Sequence, residues 1–181
     1  MYHNSSIVRS VFALATIILF SFFSCKKEKF QQAVAIISST QEGAVTGTLT
    51  FIEQKDKKVK MELDISVPAR ASRSVAVHLH EHGDCGNAGG NTHGHWNPTG
   101  KAHGKWGEGQ FHAGDIGNIS LDASGRGKLT LVTDLWSIGG SEQTNIVGRG
   151  VIVHGGVDDY TSQPAGNSGP RIGCGVVVVK Q

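Results

Sequence analysis

Neither sign of charge dominates this 181-residue chain: Lys and Arg number 17, Asp and Glu 15, and the formal net charge is +2. That excludes the basic footprint of a nucleic-acid binder. No apolar run reaches the roughly 20 residues that a membrane-spanning helix needs, since the longest, Val11 to Phe23, stops well short. After Cys25 no stretch shows a helical hydrophobic period, which argues against a helical bundle. Cysteine is scarce, and its count of three is odd. Glycine, by contrast, is abundant at 25 residues, roughly twice the usual share. No Gly-X-Y period accompanies it, so collagen is excluded and a fold with many turns or long ordered loops is expected. A hydrophobic share of 38% is enough for the core of one domain.

The apolar run suits the central region of an export leader, with Arg9 before it and Lys26, Lys27 and Lys29 after it. The junction Phe22-Phe23-Ser24-Cys25 resembles a bacterial lipoprotein leader, which implies cleavage before Cys25 and lipidation of that cysteine. The expected organisation is a signal peptide over 1–24, a tether over 25–32 and one domain over 33–181. The expected location is the bacterial cell envelope, periplasm or outer surface, with a lipid anchor in the membrane. An uncleaved anchor is the alternative. Export leaves Cys85 and Cys174 in an oxidising compartment, where two remaining cysteines of a small domain are read as a disulfide. Without leader and tether the domain is nearly neutral, so any steering of a charged substrate has to be local.

Val59, Met61, Leu63, Ile65 and Val67 alternate with polar residues, the period of two of a half-buried strand. Thr46 to Glu53 reads as its hairpin partner. Further strands are expected over Val75 to His80, Asn118 to Leu121, Lys128 to Thr133, Asn145 to His154 and Gly175 to Lys180. Short strands separated by Gly, Asn, Asp and Ser turns point to an all-β antiparallel sandwich or barrel. Between His80 and Asn118 little reads as strand, and Gly155 to Arg171 is equally poor; loops this long in a compact domain need a source of order.

Histidine supplies it. Seven of the nine fall between residues 78 and 112, and His154 is an eighth. His78 and His80 flank Leu79 on a strand, so both imidazoles project to one face about 7 Å apart along the chain. His95, His103, His112, Asp115 and His154 follow. Imidazole suits zinc and copper, and three His with one carboxylate suit tetrahedral zinc. Seven such residues fill two four-coordinate sites only if one imidazole bridges.

The segments His78-Leu79-His80-Glu81, Gly94-His95-Trp96-Asn97-Pro98, His103-Gly104, His112-Ala113-Gly114-Asp115, Val151-Ile152-Val153-His154 and Arg171-Ile172-Gly173-Cys174-Gly175 together resemble the copper,zinc superoxide dismutases. The resemblance runs from about Ala33 to the C-terminus. It implies a Greek-key, Ig-like antiparallel β-barrel or sandwich of about eight strands with two long functional loops. It also implies copper on His78, His80, His95 and His154, and zinc on His95, His103, His112 and Asp115, with His95 bridging. Arg171 and His95 are then the catalytic residues, Asp158 a carboxylate orienting one imidazole of each set, and Cys85 with Cys174 the disulfide. The implied reaction converts superoxide to dioxygen and hydrogen peroxide, and a homodimer is an open partner arrangement. A non-catalytic copper- or zinc-binding module on the same fold is the alternative; a zinc hydrolase is remote, because neither site offers a carboxylate general base. His82 and His93 are surplus, read as solvent-exposed or locally hydrogen-bonded, with a metal-delivery site as the minor reading. Trp96 and Trp106 are read as loop-packing residues.

Overall fold

The computed structural model describes Met1, residues 30–41 and residues 43–181. The expected signal peptide, Cys25 and most of the tether lie outside the described residues. Among the described residues no helix is long and apolar enough to cross a membrane.

Among the described residues there are nine strands: β1 (Gln32–Ser39), β2 (Thr46–Glu53), β3 (Val59–Ser66), β4 (Ser74–His80), β5 (Gly117–Ser120), β6 (Arg126–Thr133), β7 (Gly150–His154), β8 (Arg171–Val176) and β9 (Val178–Val179). All nine belong to one antiparallel sheet. Its order is β5-β4-β7-β8-β1-β2-β3-β6, with β9 also on β1. The connections β3 to β4 and β6 to β7 cross over other strands, which is the Greek-key pattern. The two ends of the sheet, β5 and β6, come together: a Cβ on Gly127 of β6 would lie 2.7 Å from both Ile119 and Leu121. The sheet is thus an almost closed eight-stranded barrel, as the sequence led us to expect.

β3 shows why alternation fixes the register. Val59, Met61, Leu63 and Ile65 are at most 3% exposed, while Lys60, Glu62, Asp64 and Ser66 stay partly wet. Each buried aliphatic contributes about 1.5–3 kcal/mol of transfer free energy, and a one-residue slip would expose all four. Inside the barrel these residues meet Leu49, Phe51, Val77, Leu79, Val151 and Trp136.

β4 and β7 depart from half-burial, because every residue from Val75 to His80 and from Gly150 to His154 is buried. Val75, Val77 and Leu79 face the barrel core. His78 and His80 therefore point outward, under the two long loops that cover this wall.

Three strand expectations need correction. β1 was not expected; its inward set of Ala33, Ala35 and Ile37 is too small to make a strong alternation, yet the register against β2 is continuous from Gln32 to Ser38. β7 starts at Gly150, not at Asn145, because the Asn145 side-chain oxygen accepts from Gly139 N–H and Val147 N–H and builds a loop instead of a ladder. The last strand, expected over Gly175 to Lys180, starts earlier, at Arg171, and is two pieces divided at Val177, the second ending at Val179; Val177 N–H donates to Arg149 O and its carbonyl accepts from Gly148 N–H.

Candidate metal centre

Backbone contacts dock the long loop after β4 onto the wall that carries His78 and His80. Leu79 N–H donates to Gly114 O at 2.9 Å, Trp96 N–H to Leu79 O at 2.9 Å, and Gly114 N–H to Trp96 O at 3.0 Å. Only glycine fits at 114, since a Cβ would strike Leu79 O and lie 3.1 Å from Trp96 N. This clasp seats His95 and the His112–Asp115 turn against β4. Trp136, the largest fully buried side chain, adds a tie by donating from Nε1 to Ala113 O at 2.8 Å.

Two groups of ligand atoms result. His78, His80, His95 and His154 form one, and His95, His103, His112 and Asp115 the other; within each group the ligand atoms lie within 4.8 Å of one another, and all are buried. His95 belongs to both. Its ring centroid stands 4.0 Å from that of His78, 5.1 Å from His80 and 5.3 Å from His103.

Hydrogen bonds choose which nitrogen of each imidazole is available. His80 Nδ1–H donates to His93 O at 2.9 Å and His154 Nδ1–H to Gly169 O at 3.2 Å. A carbonyl can only accept, so Nε2 of both rings carries the lone pair. His78 Nε2–H and His103 Nε2–H donate to the two oxygens of Asp158, each at 2.9 Å, which turns Nδ1 of both rings inward. The buried nitrogens left without a hydrogen-bond partner are His78 Nδ1, His80 Nε2, His95 Nε2 and His154 Nε2, together with His103 Nδ1 and His112 Nδ1. Unpartnered buried nitrogens are costly unless something occupies the space they share. The donor sets fit metal ions: four imidazole nitrogens in one group, three imidazoles and a carboxylate in the other.

Asp115 anchors the second group. Its Oδ1 lies 2.8 Å from His95 Nδ1 and 3.2 Å from His112 Nδ1, and its Oδ2 lies 3.0 Å from His103 Nδ1. The His103 and His112 contacts are short but not in a hydrogen-bonding direction, the arrangement of atoms that face a common point. Gly104 N–H and His112 N–H both donate to Oδ2. Burial opposes a charge on Asp115, but the close His112 imidazole, the hydrogen bond from His95 and the donation from His112 N–H outweigh it and hold the carboxyl well below the usual carboxylate range. Asp158 behaves likewise, with burial outweighed by its hydrogen bonds from His78 and His103. Gly166, at φ +65°, lets the loop pass over this pair; a Cβ there would strike Asp158 Oδ1 and lie 2.6 Å from His103 Nε2.

Arg171, at the start of β8, spans the mouth. Its Nη1 donates to Gly89 O and, at 2.9 Å, to Thr92 Oγ1, and its Nη2 donates to His93 O at 2.6 Å. Cys85 and Cys174 form the expected disulfide, joining the same loop to β8. Thr92 was missed from sequence: fully buried, its Oγ1 also lies 3.2 Å from His80 Nδ1. A lone threonine in a glycine-rich loop gives no signal of that role. Trp96 and Trp106 are loop-packing residues as expected, Trp96 beneath the Arg149 guanidinium and Trp106 between Phe111 and Trp136. His82 and His93 are exposed, as read from sequence.

Burial pushes His78 down to about 4, His154 to about 3 and His80 to about 2. Because these values lie below the ordinary 6.5, the unfolded chain takes up protons first as pH falls. The metal-free protein is therefore expected to keep its full stability above pH 6.5 and to lose it progressively as pH falls, the His78 share ending near pH 4 and those of His154 and His80 continuing to about pH 3 and 2. Each buried imidazole contributes at most about 1.4 kcal/mol per pH unit. Urea unfolding of the metal-free chain across this range measures it; a flat profile would show that the imidazoles are open to water.

A Greek-key barrel with two adjoining buried donor sets that share one imidazole defines a binuclear metalloprotein. The family model described as copper/zinc superoxide dismutase matches residues 45–177. The chain is 33% identical over 156 residues to a Neurospora crassa protein named Superoxide dismutase [Cu-Zn], covering 83% of this chain and 99% of that one. To the protein of the same name from Yarrowia lipolytica it is 36% identical over 152 residues, covering 81% and 96%. Among solved structures it resembles the clock protein EA4, with a TM-score of 0.73 and 32% identity over 82% of this chain and 94% of the other. The chain belongs to the copper/zinc superoxide dismutase family.

Proposed function

We propose that this chain is a copper,zinc superoxide dismutase in which His78, His80, His95 and His154 hold copper and His95, His103, His112 and Asp115 hold zinc. The observation that carries the assignment is the set of buried nitrogens whose lone pairs converge because the opposite nitrogen of the ring is tied down. When bound, copper supplies the one-electron couple by which two superoxide anions and two protons become dioxygen and hydrogen peroxide, while zinc supplies charge without redox chemistry. The chain's own residues do the rest. Asp158 locks one imidazole of each set in the required tautomer, the orienting role that partners of metal-bound histidines take. Asp115 fixes His95 Nδ1, leaving Nε2 as the basic atom on the copper side able to hold one of the protons consumed. Arg171 brings a permanent cation to the mouth, where a small anion docks; local charge, not net charge, does the steering, a mechanism for which superoxide dismutase is itself a standard example. The relatives carry the enzyme's name, so a purely metal-buffering role is not favoured.

Steady superoxide decay with metal-loaded protein tests this reading. Arg171→Ala is expected to slow decay on the order of tenfold at unchanged copper and zinc content, and Arg171→Lys to keep part of the rate and its dependence on ionic strength. An Arg171→Ala rate equal to wild type would remove Arg171 from catalysis.

We further propose that the enzyme is exported and held at a bacterial envelope membrane by a lipid on Cys25. The apolar run before Cys25 and the Cys85–Cys174 disulfide, which suits an oxidising compartment, support this. In cells, Cys25→Ser is expected to move the protein from the membrane to the soluble fraction, with loss of the fatty-acid mass; an unchanged membrane fraction would contradict it.

A further inference from the structure

Among the described residues, the two histidines that the buried centre does not use lie side by side. His82 follows β4, and His93 closes the short 3₁₀ turn Gly90–Thr92. His80 and His95 form an antiparallel bridge, and the pairing continues outward: Glu81 N–H donates to Gly94 O at 3.1 Å and His82 N–H to Thr92 O at 3.2 Å. A register that pairs 80 with 95 places 82 opposite 93. Their rings stand 4.8 Å apart and nearly perpendicular, at 86°. The ligand atoms of Glu81, His82 and His93 lie within 4.8 Å of one another. Both imidazoles are exposed, and among the described residues none of the three side chains is engaged in a hydrogen bond or ion pair.

Two imidazoles and one carboxylate are a zinc donor set that leaves a fourth position to water or an incoming ligand. We propose that Glu81, His82 and His93 form a third, solvent-facing metal site that binds Zn²⁺. The site is coupled to the buried centre through backbone. The His93 carbonyl accepts from His80 Nδ1 and from Arg171 Nη2. An ion at the rim therefore clamps the segment that orients one copper ligand and the docking arginine.

The inference rests on the two-ion reading only for counting ions, so copper and zinc contents are measured before the test. Protein loaded with copper and zinc is titrated with zinc chloride by calorimetry, beside the double variant His82→Gln/His93→Gln. Wild type is expected to take up one further equivalent of Zn²⁺ per chain, and the double variant to lose it while keeping the same copper content. Absence of the further equivalent in wild type, or its persistence in the double variant, overturns the proposal. If the buried centre does not fill, the metal analysis reveals that separately, and the equivalent that depends on His82 and His93 still decides the outer site.

Discussion

His95→Ala should leave superoxide decay close to its uncatalysed rate and should lower copper and zinc together. No other residue belongs to both buried donor sets, and its two nitrogens divide between them: Nδ1 meets Asp115 at 2.8 Å, and Nε2 lies unpartnered on the side of His78, His80 and His154. Losing an outer partner of a ligand costs about 10- to 100-fold in metal affinity or activity. Removing a ligand shared by two ions should exceed that. Asp158→Ala supplies the comparison: it frees His78 and His103 to rotate but removes no donor, so its loss should stay within that range. Metal content by mass spectrometry and superoxide decay, measured on the same samples, distinguish the two. A His95→Ala protein that keeps both metals would mean that the two groups are independent.

Breaking the Cys85–Cys174 bond should be the largest change in stability. The bond closes a separation of 89 residues, for which the chain-entropy account gives about 4–5 kcal/mol as an upper figure. For a chain of this size that corresponds to a melting temperature roughly 10–20 °C lower. Activity should suffer as well. The disulfide and Arg171 both pin the loop after β4 to β8, and that loop supplies the Gly89 and His93 carbonyls that hold Arg171 and, through His93, the His80 ring. The paired variant Cys85→Ser/Cys174→Ser, followed by calorimetry and superoxide decay, measures both effects. A melting temperature within a few degrees of wild type would show that the metal centre alone holds the loop.

What could be read from the residues was whatever repeats a local rule. β3 was legible because every second residue is a large aliphatic, and the two donor sets were legible because type and spacing of their ligands recur in a known order. β1 was not, since alanine at two of its three inward positions leaves little contrast between faces; its partner strands create the pattern. The start of β7 was overextended because Asn145, a residue that substitutes its side chain for backbone partners, looks like any polar strand position in sequence. Thr92 and the carbonyls of His93 and Gly169, which set the tautomers of His80 and His154, act through backbone position and carry no signature at all. The pairing of His82 with His93 depends in the same way on the register set by His80 and His95, so two residues read singly became neighbours only in the fold.

Whether one copper and one zinc share His95 and turn over superoxide is decided by determining both metals per chain in the purified protein and measuring superoxide decay on that same sample. The expected result is one copper and one zinc per chain with decay far faster than without protein, and loss of the acceleration when copper alone is removed. Protein that holds both metals and leaves superoxide decay unchanged would contradict it.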